Sequence, residues 1–332
     1  MNKLNFCTLF DSNYLARGLV MYESLLEQCN DFHLYVFAFN DSCYKVLSGL
    51  ALEKITVIPL IDFEDEALLA VKPKRSRAEY CWTSTSSTLV YCIEKFQLDH
   101  CIYIDADMYF YANPEEIIKN LKQDTEALIT PHNYTPRYDQ SRLRGKYCVQ
   151  FMYFKAAPCG LSVLQQWRKN CLDWCYAKPE DGKFGDQKYL DSWLSHYDCV
   201  DETIHPGIGL APWNCQQYSF SKEDDNSIKI ISAEEKYPLY FFHFHGLKVF
   251  DEKRAVFAPR SYVLSKQVRQ YFYKPYFNKL IQKEQELEQI FPGINANGRM
   301  KKKDFRREKY FQGHVAWFKR NIFKRYFSSV SN

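Results

Sequence analysis

The sequence contains no apolar run that approaches the roughly 20 residues needed by a membrane-spanning helix. Its first residues, MNKLNFCTLF, include neither the long apolar stretch nor the small-residue cleavage site of a secretory leader. It contains no internal repeat either. We therefore expect a cytoplasmic protein that does not cross a membrane.

Cysteine is abundant, with 12 residues, but the spacing does not indicate a structural metal site. Cys171 and Cys175 lie four residues apart on a predicted helix, and no second Cys or His pair follows at metal-ligand spacing. Because a chain without a leader normally stays in a reducing compartment, we expect free thiols. Cys171 and Cys175 are interpreted as packing residues.

Charge is nearly balanced over the chain, at a net +4, but it is unevenly distributed. Residues 299–332 contain 11 basic and 2 acidic residues, which gives +9 and leaves −5 for the rest. Aromatic residues alternate with these cations at near-helical spacing, as is typical of a helix on anionic lipid. We expect a peripheral membrane contact through residues 299–327. The alternatives are a docked tail, a disordered tail or nucleic-acid binding, and nucleic acid is not expected.

Strand and helix patterns alternate along the first third of the chain. They lie at residues 4–11 (strand), 13–28 (helix), 32–41 (strand), 75–96 (helix) and 101–107 (strand). This alternation predicts an α/β fold in which parallel strands carry helices on both faces. After about residue 260 the pattern becomes helical. We therefore divide the chain into a domain of residues 1–258 and a helical extension of residues 259–332.

The strand at residues 101–107 ends on two carboxylates, Asp105 and Asp107. On a regular strand, residues two apart share one face, and ligands of such sheets bind beyond the carboxyl ends of the strands. Two carboxylates held close together repel each other, and a cation relieves this repulsion. We interpret the pair as a Mg²⁺ or Mn²⁺ site that also binds substrate phosphate oxygens. The alternative is a solvated Asp-Ala-Asp turn.

A late apolar strand carries two histidines, His243 and His245, which alternate onto one face. A third ligand of the imidazole type favours Mn²⁺ over Mg²⁺. The alternative for such a pair is ordinary packing or hydrogen bonding.

Six segments resemble, in order, the motifs of GT-A glycosyltransferases, particularly the family-eight, glycogenin-like retaining enzymes. They are FCTLFDSNYLARGLVMYESL, RAEY, YIDADMYFYANPEEI, FGDQKYLD, HPGIGLAPWN and HFHGLK. The resemblance covers residues 4–248 and implies the GT-A fold, a mixed sheet flanked by helices, followed here by a basic helical extension. It also implies an enzyme that moves a sugar from a nucleotide-sugar.

The resemblance assigns a metal and nucleotide-sugar site to Asp105 and Asp107. The family's third metal ligand lies three residues before a glycine, which selects His243, with His245 as the alternative. The segment around Thr8, Asp11 and Tyr14 would hold the base and ribose. The resemblance also assigns two cationic residues to the nucleotide site. Arg77 would approach the nucleotide or stabilise the acidic strand. Lys248 would neutralise the departing diphosphate.

The same resemblance places Asp186 and Gln187 against the donor sugar. Their oxygens would orient its hydroxyls and stabilise positive charge at the anomeric carbon, while the alternative for Asp186 is a helix N-cap. Three positions depart from the family. Residues 148–150, Cys-Val-Gln, replace an Asn-x-Gly segment that contacts the sugar, Trp82 replaces an arginine, and Lys248 comes one residue early.

The resulting prediction is a retaining, metal-dependent hexosyltransferase. Its partners would be a UDP-sugar donor and a glycan or glycolipid acceptor, in surface polysaccharide or lipopolysaccharide synthesis. One rival is a haloacid-dehalogenase-like phosphatase with Asp105 as nucleophile, although Tyr109 stands where that family has Thr or Val. The other rival is a nucleotide-sugar binding module without turnover, which the departure at residues 148–150 motivates.

Overall fold

The structure is a computed structural model that describes residues 3–225 and 227–304. The strands in these ranges are β1 (Leu4–Phe10), β2 (Phe32–Ala38), β3 (Ile55–Pro59), β4 (His100–Ile104), β5 (Met108–Phe110), β6 (Ala127–Pro131), β7 (Tyr147–Lys155), β8 (Val200–Glu202), β9 (Ser219–Lys222), β10 (Ile228–Ser232), β11 (Glu235–Pro238), β12 (Phe241–His243), β13 (Lys248–Asp251) and β14 (Arg254–Val256). The α-helices are α1 (Leu15–Gln28), α2 (Asp41–Leu50), α3 (Leu60–Phe63), α4 (Glu66–Val71), α5 (Arg77–Phe96), α6 (Glu115–Lys119), α7 (Ser141–Arg144), α8 (Pro158–Asp173), α9 (Trp193–His196), α10 (Lys266–Val268) and α11 (Lys274–Ile290).

Seven strands form a central mixed sheet in the order β3-β2-β1-β4-β7-β6-β8. The pairs β1–β2, β2–β3, β1–β4 and β6–β8 are parallel, whereas β7 runs antiparallel to both β4 and β6. The predicted α/β class, with a mixed sheet flanked by helices and a helical C-terminal extension, is confirmed. The alternation of strands and helices predicted parallel pairing, which holds among β1, β2, β3 and β4 and between β6 and β8, but not for the two pairs that β7 makes.

Helices cover both faces of this sheet, which explains why its central strands are largely apolar and buried. All seven residues of β1 are buried, as expected for a strand with both faces covered. On one face α1 lies between the sheet and α11, and the core there contains Phe6 and Phe272. On the other face α5 and α8 pack together, over a core that contains Phe154 and Trp167.

A capping box fixes the start of α5, the helix that carries Arg77. The Ser76 hydroxyl accepts a hydrogen bond from the Glu79 amide, and the Glu79 carboxylate accepts one from the Ser76 amide, at 3.4 and 2.8 Å. Together they satisfy two backbone donors that a helix terminus leaves unpaired. Arg77 is therefore held at the first position of a well-defined helix, beside the carboxyl end of β1.

The described part of the C-terminal extension shares a core with the sheet. A π-helical turn, Arg269–Tyr273, precedes α11, and Pro275 lies in the first turn of that helix. Tyr276 stacks on Phe244, with ring centroids 3.7 Å apart. The buried Arg17 donates to backbone carbonyls of Leu247 and Asn297. Residues 259–304 thus pack against the main domain. The domain boundary at residue 258 stays a prediction from the sequence.

Cys159 and Cys199 form a disulfide, so the expectation of free thiols is wrong for this pair. Glu126 brings the two together, because its carboxylate accepts from the Gly160 amide at the start of α8 and its own amide donates to the Cys199 carbonyl. The two cysteines are 40 residues apart in sequence, so nothing local indicates the pairing. The other ten cysteines are unpaired, and Cys171 and Cys175 are fully buried, as predicted.

No helix within residues 3–225 and 227–304 is both long enough and apolar enough to span a bilayer. Most of the predicted lipid-binding segment, residues 305–327, lies outside the described residues.

Candidate active site

The two aspartates lie where the apolar strand β4 ends and the short strand β5 begins. Asp105 directly follows β4, and its backbone amide donates to the carbonyl of Gln150 in β7 at 3.1 Å. Asp107 directly precedes β5, and its carbonyl accepts from the Phe244 amide at 2.9 Å. Both acids are therefore fixed by backbone pairing with strands that are distant in sequence.

The pairing of β5 with β12 brings His243 to these acids. His243 lies opposite Met108 in the antiparallel register, so its ring is beside Asp107. Its Nε2 atom is 3.1 Å from Oδ1 of Asp107 and 3.6 Å from Oδ2 of Asp105. One ligand atom from each of the three residues lies within 4.8 Å of the others. The structure thus places His243 beside both carboxylates, as the resemblance implied.

The three groups perturb one another strongly because they are close together and because Asp107 and His243 are buried, while Asp105 is partly exposed. Burial would raise the pKa of Asp107, but the charge and hydrogen bond of His243 outweigh it and lower that pKa to about 2. Burial would likewise lower the pKa of His243, but Asp107 raises it well above its ordinary value. Burial raises the pKa of Asp105. A positive group between the two carboxylates is therefore strongly favoured.

The triad lies on the wall of a cavity of about 550 Å³. Nine of the predicted site residues line this cavity, namely Asp11, Tyr14, Arg77, Asp105, Asp107, Asp186, Gln187, His243 and His245. Its volume falls within the range typical of small-molecule sites. Residues from the start, middle and end of the chain thus converge on one space large enough for a small ligand.

The structure does not bring Thr8 or Lys248 to this cavity. Thr8 is fully buried within β1, and its hydroxyl has no hydrogen-bond partner among the described residues. Lys248 is exposed at the start of β13, where it pairs with Val256 in a two-stranded ribbon. The predicted contacts of Thr8 with the nucleotide and of Lys248 with diphosphate therefore have no counterpart in this geometry.

Asp11 and Arg77 form an ion pair on the wall that faces the predicted nucleotide. The other carboxylate oxygen of Asp11 accepts from the Asn13 amide at 2.8 Å, which fixes the turn after β1. The side chain of Arg77 is 59% exposed although that of Asp11 is only 11% exposed. The Arg77 side chain is therefore accessible to a ligand in the cavity, while the Asp11 carboxylate that it contacts is largely buried.

Asp186 and Gln187 line the same cavity as the acidic pair, on a loop that is held from two sides. The Asp186 carbonyl accepts from the indole of Trp167 in α8 at 2.9 Å, and the Gln187 amide nitrogen donates to the Arg144 carbonyl at 2.6 Å. Burial, and then the charge of Asp105, raise the pKa of Asp186 to about 8. The following 3₁₀ turn, Lys188–Ser192, begins after Gln187 without a side-chain cap, so N-capping does not account for Asp186.

Further residues of the cavity were not among the predicted site residues. Arg144 reaches it from the end of α7, and His132, Tyr134, Trp213 and Tyr262 provide an aromatic wall. Trp213 belongs to the Pro-x-x-Trp-Asn turn that carried part of the resemblance, which was its only sequence signal. No local pattern distinguishes Arg144 or the other rings, because their roles depend on how distant loops meet.

Comparison with known proteins identifies relatives by sequence. The chain is 30% identical over 251 residues to the uncharacterized protein YfnF of Bacillus subtilis, an alignment that covers 74% of this chain and 82% of YfnF. It is 27% identical over 300 residues to the uncharacterized protein YfnD of the same organism, covering 88% of this chain and 93% of YfnD. No model of a known protein family matches the chain.

Comparison of structures finds glycosyltransferases. The galactosyltransferase LgtC, in complex with donor and acceptor sugar analogues, aligns over 84% of this chain and 95% of its own, with a TM-score of 0.47 and 11% identity. Mouse xyloside xylosyltransferase 1 aligns over 74% of this chain and 98% of its own, with a TM-score of 0.44 and 13% identity. From the sequence relationship, the protein belongs to the same family as YfnF of Bacillus subtilis.

Proposed function

We propose that the protein is a metal-dependent GT-A glycosyltransferase that transfers a sugar from a UDP-sugar to a glycan or glycolipid acceptor. The observation that carries this proposal is the convergence of Asp105, Asp107 and His243 on one wall of a ligand-sized cavity. The ordered series of sequence motifs supports it, because most of those motifs contribute residues to this same cavity. Retention of configuration and a hexosyl donor are part of the proposal.

The donor set of the triad fits the metal that the proposal requires. Two carboxylate oxygens and one imidazole nitrogen suit Mn²⁺, and also Mg²⁺ with less preference for the imidazole. Asp105, Asp107 and His243 would hold the ion. When bound, it would neutralise negative charge on the departing diphosphate.

The position of each remaining cavity residue suggests which part of the nucleotide-sugar it would bind. Asp11 and Tyr14, on the wall after β1, would bind the ribose and base, and Arg77 would exchange its contact with Asp11 for one with the nucleotide. Among the described residues, Arg77 and Arg144 are the arginine or lysine side chains on the cavity wall. We therefore assign to Arg144, instead of Lys248, the task of stabilising negative charge on the diphosphate.

Asp186 and Gln187, which line the same cavity as the acidic pair, would orient the sugar. The transition state of glycosyl transfer carries positive charge at the anomeric carbon, and carboxylate and amide oxygens on that side stabilise it. Hydrogen bonds to Trp167 and to Arg144 fix this loop. Asp186 and Gln187 would therefore need little rearrangement during the reaction.

The acceptor is proposed to be a glycan or glycolipid of the cell surface. The aromatic wall of Tyr134, Trp213 and Tyr262 suits stacking against a sugar ring. Location at the cytoplasmic side of the membrane, through the basic tail, belongs to the same proposal.

A donor screen tests this function against its two rivals. Purified protein is mixed with individual UDP-sugars, with Mn²⁺ or with a chelator, and melting temperature and release of UDP are measured. The proposal predicts that one donor stabilises the protein only with metal and that UDP is released when an acceptor glycan is added. Stabilisation without any UDP release would favour a binding module, and phosphate release from phosphomonoesters would favour a phosphatase.

A further inference from the structure

Gln150 is a buried polar residue next to the acidic pair that the proposed chemistry has not used. It lies in the middle of β7 and is fully shielded from solvent. Its side-chain oxygen Oε1 is 2.7 Å from Nδ1 of His243. Gln150 occupies the position at which the resembling enzymes carry a glycine, so this contact is a feature of the present chain.

The contact determines which nitrogen of His243 carries a proton. An amide oxygen only accepts hydrogen bonds, so Nδ1 of His243 must donate to it. A neutral imidazole has one N–H group, and a proton on Nδ1 leaves the lone pair on Nε2. Nε2 is the atom that faces Asp105 and Asp107. Whenever the ring is neutral, as a metal ligand must be, this tautomer directs the Nε2 lone pair toward the two carboxylates, where a metal ion would bind.

Among the described residues, the contact with His243 is the one hydrogen bond that the Gln150 side chain makes. Its amide nitrogen has no hydrogen-bond partner among the described residues, which is unusual for a buried polar group. Gly209, at a φ of +83°, makes room for it, because a Cβ there would lie 2.7 Å from that nitrogen and 2.9 Å from a methyl of Thr130. The site thus accommodates a side chain that is only half satisfied.

Gln150 also holds one of the acids, but through its backbone. Its carbonyl accepts from the Asp105 amide at 3.1 Å. Substitution of the side chain leaves this backbone bond in place, so variants of Gln150 test the contact with His243 alone.

We infer that Gln150 is a positioning residue that sets the tautomer and ring orientation of His243 for metal binding. This inference rests on the proposed function, because it assigns Gln150 a role toward the same Mn²⁺ site. Groups that orient a metal-bound histidine typically change metal affinity by about 10- to 100-fold when they are removed.

The test compares Gln150→Leu, which removes the acceptor, with Gln150→Glu, which keeps one. Thr130→Val is the matched control, because Thr130 is equally buried near Gln150 and its hydroxyl, among the described residues, bonds the Phe151 carbonyl alone. Mn²⁺ affinity is measured by calorimetry and folding by thermal melting. We expect about a 10- to 100-fold loss of affinity in Gln150→Leu, a restored affinity in Gln150→Glu, and no loss in Thr130→Val.

Nitrogen-15 NMR of the metal-free protein supplies a readout that does not depend on metal. The inference predicts a slowly exchanging Nδ1–H on His243 in the wild type, lost or rapidly exchanging in Gln150→Leu. An unprotonated Nδ1 in the wild type would overturn the inference, as would equal Mn²⁺ affinity in the wild type and in folded Gln150→Leu. Absence of Mn²⁺ binding in a wild type that shows the Nδ1–H would instead reject the proposed function and, with it, the metal role of Gln150.

Discussion

The Nε2 atom of His243 lies 3.1 Å from a carboxylate oxygen of Asp107, although the two residues are far apart in the chain. Pairing of β5 with β12 brings them together, and burial makes their interaction strong. In the absence of metal, this geometry favours an imidazolium between two carboxylates. A divalent cation at the same place would satisfy the same charges, which is why the arrangement supports a metal site.

Loss of Asp107 should abolish metal-dependent nucleotide binding. In Asp107→Ala we expect UDP affinity in Mn²⁺ to fall by at least tenfold, about 1.4 kcal/mol or more, while affinity in a chelator stays the same. Calorimetry measures both. Asp41→Asn is the control, since Asp41 also follows a strand but lies in the first turn of α2, outside the cavity lining. Equal Mn²⁺-dependent affinity in wild type and Asp107→Ala would reject the assignment.

Replacement of Asp186 should stabilise the protein while impairing its activity. The folded protein raises the pKa of this carboxyl from an ordinary value of about 3.9 to about 8. Between about pH 4 and pH 8 the unfolded chain ionises this carboxyl while the folded protein keeps it protonated. The free energy of unfolding therefore decreases as pH rises through this range. Asp186→Asn lacks this cost. Its melting temperature, relative to wild type without metal, should increase between about pH 4 and pH 8 and level off above.

A pH-independent difference in melting temperature would show that Asp186 is not perturbed in this way. Release of UDP from the donor separates a catalytic role of Asp186 from a purely structural one. Asp186→Asn should lower the rate of UDP release even at pH values where it raises the melting temperature. Such opposition between stability and activity is common at functional sites.

Arg144 should matter for turnover, and its neighbour Arg142 should not. Arg144 lines the cavity beside the aromatic wall, whereas Arg142 of the same short helix does not line it. We expect Arg144→Gln to lower the rate of UDP release roughly tenfold or more. Arg142→Gln, which removes the same charge from the same helix, should act like wild type. Equal rates in the two variants would remove Arg144 from the mechanism.

The disulfide should contribute to stability and leave the site intact. Cys159 and Cys199 are 40 positions apart in sequence, and such cross-links typically add about 2–4 kcal/mol to the free energy of unfolding. In the double variant Cys159→Ser/Cys199→Ser we expect a loss of this size in urea denaturation with unchanged UDP affinity. Addition of a reductant should destabilise the wild type but not the variant, and equal sensitivity would show that the bond does not form.

The basic tail is tested by truncation, and the structure determines where to cut. Arg299 ion-pairs with Glu284, and the Met300 amide donates to the Val249 carbonyl, so removal of these residues would disturb the fold. Truncation after residue 304 keeps both contacts. The full chain should sediment with anionic vesicles and not with zwitterionic ones, and the truncated chain with neither. Sedimentation of the truncated chain on anionic vesicles would exclude the tail as the anchor.

Local sequence patterns predicted the parts of the fold that depend on local physics. The apolar strand β4 and the acidic pair that follows it could be recognised, because a short run of consecutive residues contains both the apolar pattern and the two charges at its end. The antiparallel direction of β7 could not, since it depends on the route that the chain takes between distant elements. The disulfide at Cys159 has the same explanation, because Glu126 creates the contact only in the folded state.

The candidate site was predicted to the extent that its residues belong to recognisable segments. His243 and Asp186 were found because their segments resemble known motifs. Lys248 was predicted at the diphosphate and stays a prediction, since it is exposed at the start of β13 and does not line the cavity. Gln150 was noted only as a departure from the family, since its contact with His243 requires β7 and β12 to meet.

Diffraction at the manganese absorption edge tests the central claim most directly. Crystals are soaked in Mn²⁺ and UDP, and the anomalous difference map is inspected at the cavity wall. We predict a single strong peak within bonding distance of carboxylate oxygens from Asp105 and Asp107 and of Nε2 of His243, adjoining density for the diphosphate. Well-defined UDP density without any anomalous peak among these side chains would contradict the account.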